Sequence, residues 1–349
     1  MSLFSQESYD STKSKWIFSS HGESYLTISE NGKRGEKISD FQFNHNRLNT
    51  PAVNHATIGV KHVSNRFRIE TALHTGTYVR DNYSAENSLL RSFYKAFAGF
   101  RINSKKNTWM DAGIFPSYIG FESVNPFDNI TVSRSLLAEN SPYYLTGLRI
   151  NHPLKKWGEI TFYLLTGWQR IAPQRKNSLP SFGWQWNQQL KDNSLLNWSF
   201  YGGSDQPDAS RKMRYFNNFY WQKQYRSWTF ITGMDIGAEQ TTKASNRYNF
   251  WWSPIFITGF ALSEKWKGGI RMEHYSDRNS VIIKTKNGES FNGSGFSMNI
   301  DYKPTASIMF RAEFRKLSAT KKVFYTISPS SDQISQMILS IGYRLSQLP

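Results

Sequence analysis

The 349-residue chain has no cysteine. A disulfide framework, a thiolate metal site and a cysteine nucleophile are therefore excluded. It has no run of about 18 apolar residues, so no membrane-spanning helix is encoded. Seven histidines are scattered without zinc-ligand spacing, so no metal site is expected. The glycine-rich NGSGF (292–296) lacks the strand–turn–helix context of a phosphate loop, so no cofactor is expected. Acidic residues are few: 26 Asp+Glu stand against 43 Lys+Arg, a net charge of +17. Such a charge raises nucleic-acid binding. The cations, however, lie in turns, loops and alternate strand positions rather than in one stripe, so no nucleic-acid partner is expected. They suit a charged surface spread all round, or a charged lumen.

What the chain does have is aromatic residues, with 12 Trp, 18 Tyr and 25 Phe. Mean hydropathy is −0.58. That value suits a water-soluble chain and equally a membrane β-barrel, where only alternate strand residues meet lipid. The stretch EITFYLLTGWQ (159–169) shows the pattern: Ile160, Phe162, Leu164 and Trp168 share one face, and Glu159, Thr161 and Gln169 fall on the other. Period-2 segments recur about sixteen times, each near the ten residues a tilted membrane strand needs. They run from 16–28 and 53–62 to 306–316 and 334–345, and include 66–79 and 157–170.

The connections between them alternate. Short ones such as 63–65, 104–107 and 153–156 follow longer ones such as 29–52, 80–90 and 120–141. Tight periplasmic turns and longer outer loops have this asymmetry in outer-membrane barrels, and a soluble sandwich has no reason to repeat it. Trp and Tyr near strand ends fit interfacial girdles. The expected architecture is all-β: residues 1–15 form an N-terminal extension, and 16–349 a single antiparallel transmembrane barrel. The opening MSLFSQESYDSTKSK has no apolar h-region, so an outer-membrane location implies a mature sequence whose signal peptide is not part of it.

Residues 113–150 carry Ile119-Gly120-Phe121-Glu122, Asn129, Ser133-Arg134-Ser135, Pro142-Tyr143-Tyr144 and Gly147-Leu148. This series resembles the β-barrel porin-2, OmpL-like family of bacterial outer membranes, especially its Bacteroidota members. LLTGW (164–168) is similar to that family's "NGW" strand end, with Thr166 in place of the usual Asn. RMEHYSD (271–277) and FRAEFR (310–315) resemble two of its later strands. The resemblance covers most of the chain and implies a porin-like barrel.

Strand parity points Arg68, Lys95, Arg101, Arg149, Arg271, Glu273, Arg311, Glu313 and Arg315 inward as candidate pore-lining residues. Two readings stay open: a water-filled passage with a positive field, or an interior filled by ion pairs. The 120–141 connection, with Glu122, Asn129, Ser133 and Arg134, is the candidate constriction loop, since long loops tend to carry function. An exposed external loop is the alternative. His274 and Ser276, two apart and outward, have a lipid hydrolase's spacing but no identifiable third member, so no catalytic residue is assigned. Loop cations such as Lys33, Arg34, Arg175 and Lys176 could pair with lipid and lipopolysaccharide headgroups.

The function expected is passive diffusion of small hydrophilic, anionic solutes. The rival is a non-conducting structural or accessory barrel partnered by other outer-membrane proteins or lipoproteins.

Overall fold

The computed structural model describes residues 14–30, 32–324 and 330–346. Sixteen antiparallel strands close into one barrel. They are β1 Lys15–Ile28, β2 Pro51–Val63, β3 Phe67–Thr75, β4 Phe93–Asn103, β5 Thr108–Pro116, β6 Tyr144–Pro153, β7 Glu159–Leu165 and β8 Ser181–Gln189. They continue with β9 Ser194–Gly203, β10 Arg214–Tyr225, β11 Trp228–Gln240, β12 Tyr248–Ala261, β13 Trp266–Asp277, β14 Phe291–Tyr302, β15 Ile308–Ala319 and β16 Gln333–Ser346. Neighbours in sequence pair throughout, and β1 closes on β16 from Ser19 opposite Ser346 to Ile28 opposite Met337. Closure removes the free strand edges that lipid could not hydrogen-bond. Most of the expected N-terminal extension, residues 1–13, lies outside the described residues.

The two faces sort by solvent. Phe162 and Leu164 stand on the outer surface, 53% and 48% exposed, while Thr161, Tyr163 and Leu165 on the same strand are buried inside. Phe67, Phe182, Met298, Phe310 and Leu339 repeat the outward set around the wall. Trp157, Tyr225, Trp228 and Trp266 are exposed beside the short connections, where an indole or phenol can sit at the headgroup level. Asn107 and Asn193 take left-handed backbone at two of these turns (φ 50 and 60), a conformation Asn tolerates.

Two expected strands are shorter than their patterns. The segment expected at 66–79 stops at Thr75, because Gly76 (φ 128) leads into a one-turn helix, α1 Thr77–Asn82. The 157–170 segment stops at Leu165. Trp168 does not continue the oily face: it turns inward, edge-on to Tyr201 at 4.9 Å and to Phe216 at 5.0 Å. Period-2 reading extrapolates past a strand end because a turn can carry the same alternation.

The short connections (64–66, 104–107, 154–158, 190–193, 226–227, 262–265, 303–307) alternate with the long ones throughout. An impermeant amine label applied to intact cells is therefore expected to modify Lys176 and Lys243 in long loops and to spare Lys105 and Lys156. Labelling of Lys105 from outside would reverse the assigned orientation.

Candidate functional site: a segment across the lumen

The connection between β5 and β6, residues 117–143, folds into the barrel and is held on two sides. On one side the Tyr118 ring stacks on Tyr163 at 4.0 Å, and its hydroxyl donates to the Phe200 carbonyl at 2.7 Å. Gln185 Nε2 donates to the Tyr118 carbonyl at 2.7 Å, and the Gly120 amide donates to Asn218 Oδ1 at 3.2 Å. These contacts belong to the wall of β7 to β10.

The chain then crosses to β13–β15. Arg311 donates to the carbonyls of Pro126, Asn129 and Ile130 at 2.9, 3.1 and 2.8 Å, while its Nε bonds Asp301 at 2.9 Å. Glu313 accepts the amides of Val132 (2.6 Å) and Ser133 (3.1 Å) and also the Ser133 hydroxyl. Arg271 donates to Thr131 Oγ1 (2.8 Å) and to the Ser133 carbonyl (2.5 Å). Glu273 accepts the Leu136 amide at 2.5 Å and the Arg315 guanidinium at 2.7 Å. Buried charges are tolerated where each is paired and hydrogen-bonded, and these six strand residues, Asp301 included, pair with one another and bond the segment.

Inside the segment the polar residues fold it onto itself. Asn129 clasps Ser123, accepting its amide at 2.8 Å and donating to its carbonyl at 2.6 Å. Ser135 caps a short helix, α2 Leu136–Glu139, by accepting the Ala138 amide, and donates its own amide to Glu122 at 3.1 Å. Glu139 accepts the amides of Phe43 (2.9 Å) and Asn44 (3.1 Å) and the Tyr143 hydroxyl (2.6 Å), tying the 29–50 loop to the segment. Burial pushes the Glu139 carboxyl up, against the downward pull of those donors.

All nine candidate pore-lining residues face inward, and the fold divides them. Arg271, Glu273, Arg311, Glu313 and Arg315 are buried beneath the segment. Arg68, Lys95, Arg101 and Arg149 lie on the β3–β6 wall and stay partly exposed. Arg68 and Arg149 share one carboxylate, Asp111, at 2.5 and 2.7 Å; Lys95 pairs with Glu70 at 2.7 Å; Arg101 donates to Asn65 at 2.7 Å. Of the four loop candidates, Glu122, Asn129 and Ser133 anchor the segment, and Arg134 makes none of these bonds.

The sequence reading missed Asp111 and Glu139. Asp111 was legible, since it alternates with the inward Trp109. Glu139 was not, because the backbone amides it accepts, those of Phe43 and Asn44, lie nearly a hundred residues away. The fold also gathers four scattered histidines: His55 Nε2 is 3.0 Å from His74 Nδ1, His21 packs on His55, and His45 meets Glu23 at 2.9 Å. Among the described residues no group of three His, Asp or Glu could hold a metal ion. His274 bonds Ser294 across the strands at 2.9 Å, rather than Ser276, which is buried.

A family profile described as "Putative beta-barrel porin-2, OmpL-like" matches residues 18–345. The chain belongs to this family. It is a porin-type β-barrel of the bacterial outer membrane, a channel-forming class rather than an enzyme class. No curated protein sequence matches it. Solved structures share its fold at very low identity. The anion-selective porin of Comamonas acidovorans superposes with a TM-score of 0.61 at 5% identity, covering 95% of this chain and 100% of that one. The outer membrane channel DcaP of Acinetobacter baumannii gives 0.61 at 10%, covering 95% and 97%. The in-vitro folded trimer form of OmpT from Vibrio cholerae gives 0.60 at 8%, covering 95% and 99%.

Proposed function

We propose that this barrel is a passive-diffusion channel for small hydrophilic anions. The observation that carries the reading is the division of the inward charges. The carboxylates Glu273, Glu313 and Asp301 are used under the segment, whereas the partly exposed wall keeps more cations than anions: Arg68, Lys95, Arg101 and Arg149 against Glu70 and Asp111. At the short-turn end a vestibule of about 1100 Å³ has Lys155, Lys156, Lys191 and Arg226 on its walls with Glu159. A low-dielectric passage edged with one sign of charge concentrates the opposite ion. The 117–143 segment acts as the constriction, and the solute path runs between it and the β3–β6 wall.

Reconstituted protein should conduct and prefer chloride to potassium at low salt. The preference should fade toward 1 M, where the Debye length is about 3 Å. Arg68→Gln with Arg149→Gln leaves Asp111 unneutralised and should shift reversal potentials toward cations.

A second reading has its own support. An apolar cluster joins loop residues Ile38, Phe41, Leu48 and Phe324 to inward Trp251, Tyr275 and Phe291 at the long-loop end. Such packing also suits a closed accessory barrel. Purified protein that passes no current, with 121–139 present or deleted, would favour that reading and remove the channel.

A further inference from the structure

Five arginines are buried among the described residues: Arg47, Arg134, Arg271, Arg311 and Arg315. Four of them have a carboxylate in ion-pair contact. Arg47 meets Asp81 at 2.8 Å, Arg271 meets Glu273 at 3.3 Å, Arg311 meets Asp301 at 2.9 Å and Arg315 meets Glu273 at 2.7 Å. Arg134 is the exception. It is 7% exposed, and among the described residues its guanidinium makes no hydrogen bond and no ion pair. Its contact is the Tyr143 ring, 5.0 Å from the guanidinium carbon.

Glu122 and Glu139 stabilise the Arg134 charge from nearby, but neither makes a direct bond to it. Glu122 is engaged by the amide and hydroxyl of Ser135, and Glu139 by Phe43, Asn44 and Tyr143. Arg134 instead lines a cavity of about 170 Å³, together with Tyr94, Ser117, Glu122, Ser123 and Ser141. At roughly 30 Å³ per water, that space holds several waters or one short organic anion.

We propose that this cavity is a binding site for a small monovalent anion, a short carboxylate or a halide, with the Arg134 guanidinium as its recognition group. A buried cation without a partner is costly, and a planar guanidinium is the side chain best matched to a carboxylate. The Tyr143 face holds it in place before the anion arrives. Attraction to Arg134 and repulsion from Glu122 on the same wall both scale with the ligand's charge, whereas the cost of stripping its water rises as the square of that charge, so a monoanion enters more readily than a dianion. The site sits at the constriction, next to Tyr94 and so to Lys95 of the basic wall. It deepens the channel reading and rests on it for the ligand's route of entry.

The test combines location with transport. Crystals grown in sodium bromide should show an anomalous peak against the Arg134 guanidinium, retained in Arg134→Lys and lost in Arg134→Gln. Calorimetry of the detergent-solubilised protein with sodium acetate should show binding that weakens about tenfold or more in Arg134→Gln, the loss of one charge-assisted hydrogen bond. Sodium sulfate should bind more weakly than acetate. Heat-modifiable migration on a gel checks that each variant is folded, and Arg134→Lys supplies a charged control if the Gln variant is not. Bromide peaks at other cations but not at Arg134, or acetate binding indifferent to both substitutions, overturns the site. Anion-selective conduction with unchanged acetate binding in Arg134→Gln leaves the channel and removes this inference. Bromide and acetate binding at Arg134 in a protein that passes no current does the reverse.

Discussion

Arginine in place of Met272 should destabilise the folded barrel by about 2–4 kcal/mol, the cost of a cation at the bilayer midplane. Met272 lies mid-strand on β13, 55% exposed, with Phe256 and Phe296 opposite it on the two neighbouring strands. Those side chains form a continuous apolar surface, and a guanidinium there has no polar partner within its plane. The control is Gln224→Arg at the wall of the short-turn vestibule, where water reaches the new charge. Reversible urea unfolding in lipid vesicles measures both. Equal stabilities would mean that the outer surface of β13 does not meet acyl chains.

The second large effect concerns the clamp beneath the segment. Arg271 is fully buried and lies 3.3 Å from Glu273 and 3.6 Å from Glu313. Arg271→Met leaves Glu313 without its cation and removes the bonds to Thr131 and Ser133. Breaking a buried pair by taking away one partner costs about 3–5 kcal/mol. The barrel's strand ladders do not depend on Arg271, so the loss should fall on segment docking. The expected result is a barrel that still folds but conducts more and with larger current fluctuations. Adding Glu313→Gln should restore part of the docking, because the orphaned charge is gone while amide-compatible acceptance by its side-chain oxygen remains. A single variant with unchanged conductance and unchanged unfolding would show that this network does not hold the segment.

These two positions differ in how far the sequence reaches. Met272 is predictable as lipid-facing from alternation alone, because the strand period is two and each face meets one solvent. The same rule placed Arg271, Glu273, Arg311, Glu313 and Arg315 inward. It could not say what they meet there. Parity is local, whereas their partners, Val132, Ser133 and Leu136, come from a loop more than a hundred residues away in the chain. Trp168 shows the opposite failure: its parity was read as outward, but the strand had already ended.

The sequence by itself determined the all-β class, the alternation of short and long connections, the lipid-facing set and, through the 113–150 motifs, the family. Each is written in nearest neighbours or in a period of two. Only the tertiary structure decided that the 117–143 segment enters the lumen, and that it rests on the β13–β15 wall. It alone separated the cations spent on docking from those left on the β3–β6 wall, and left Arg134 lining a cavity with no carboxylate in direct contact with it among the described residues. These depend on which distant side chains closure of the barrel brings within about 3 Å, the range over which a hydrogen bond forms. No spacing along the chain encodes that.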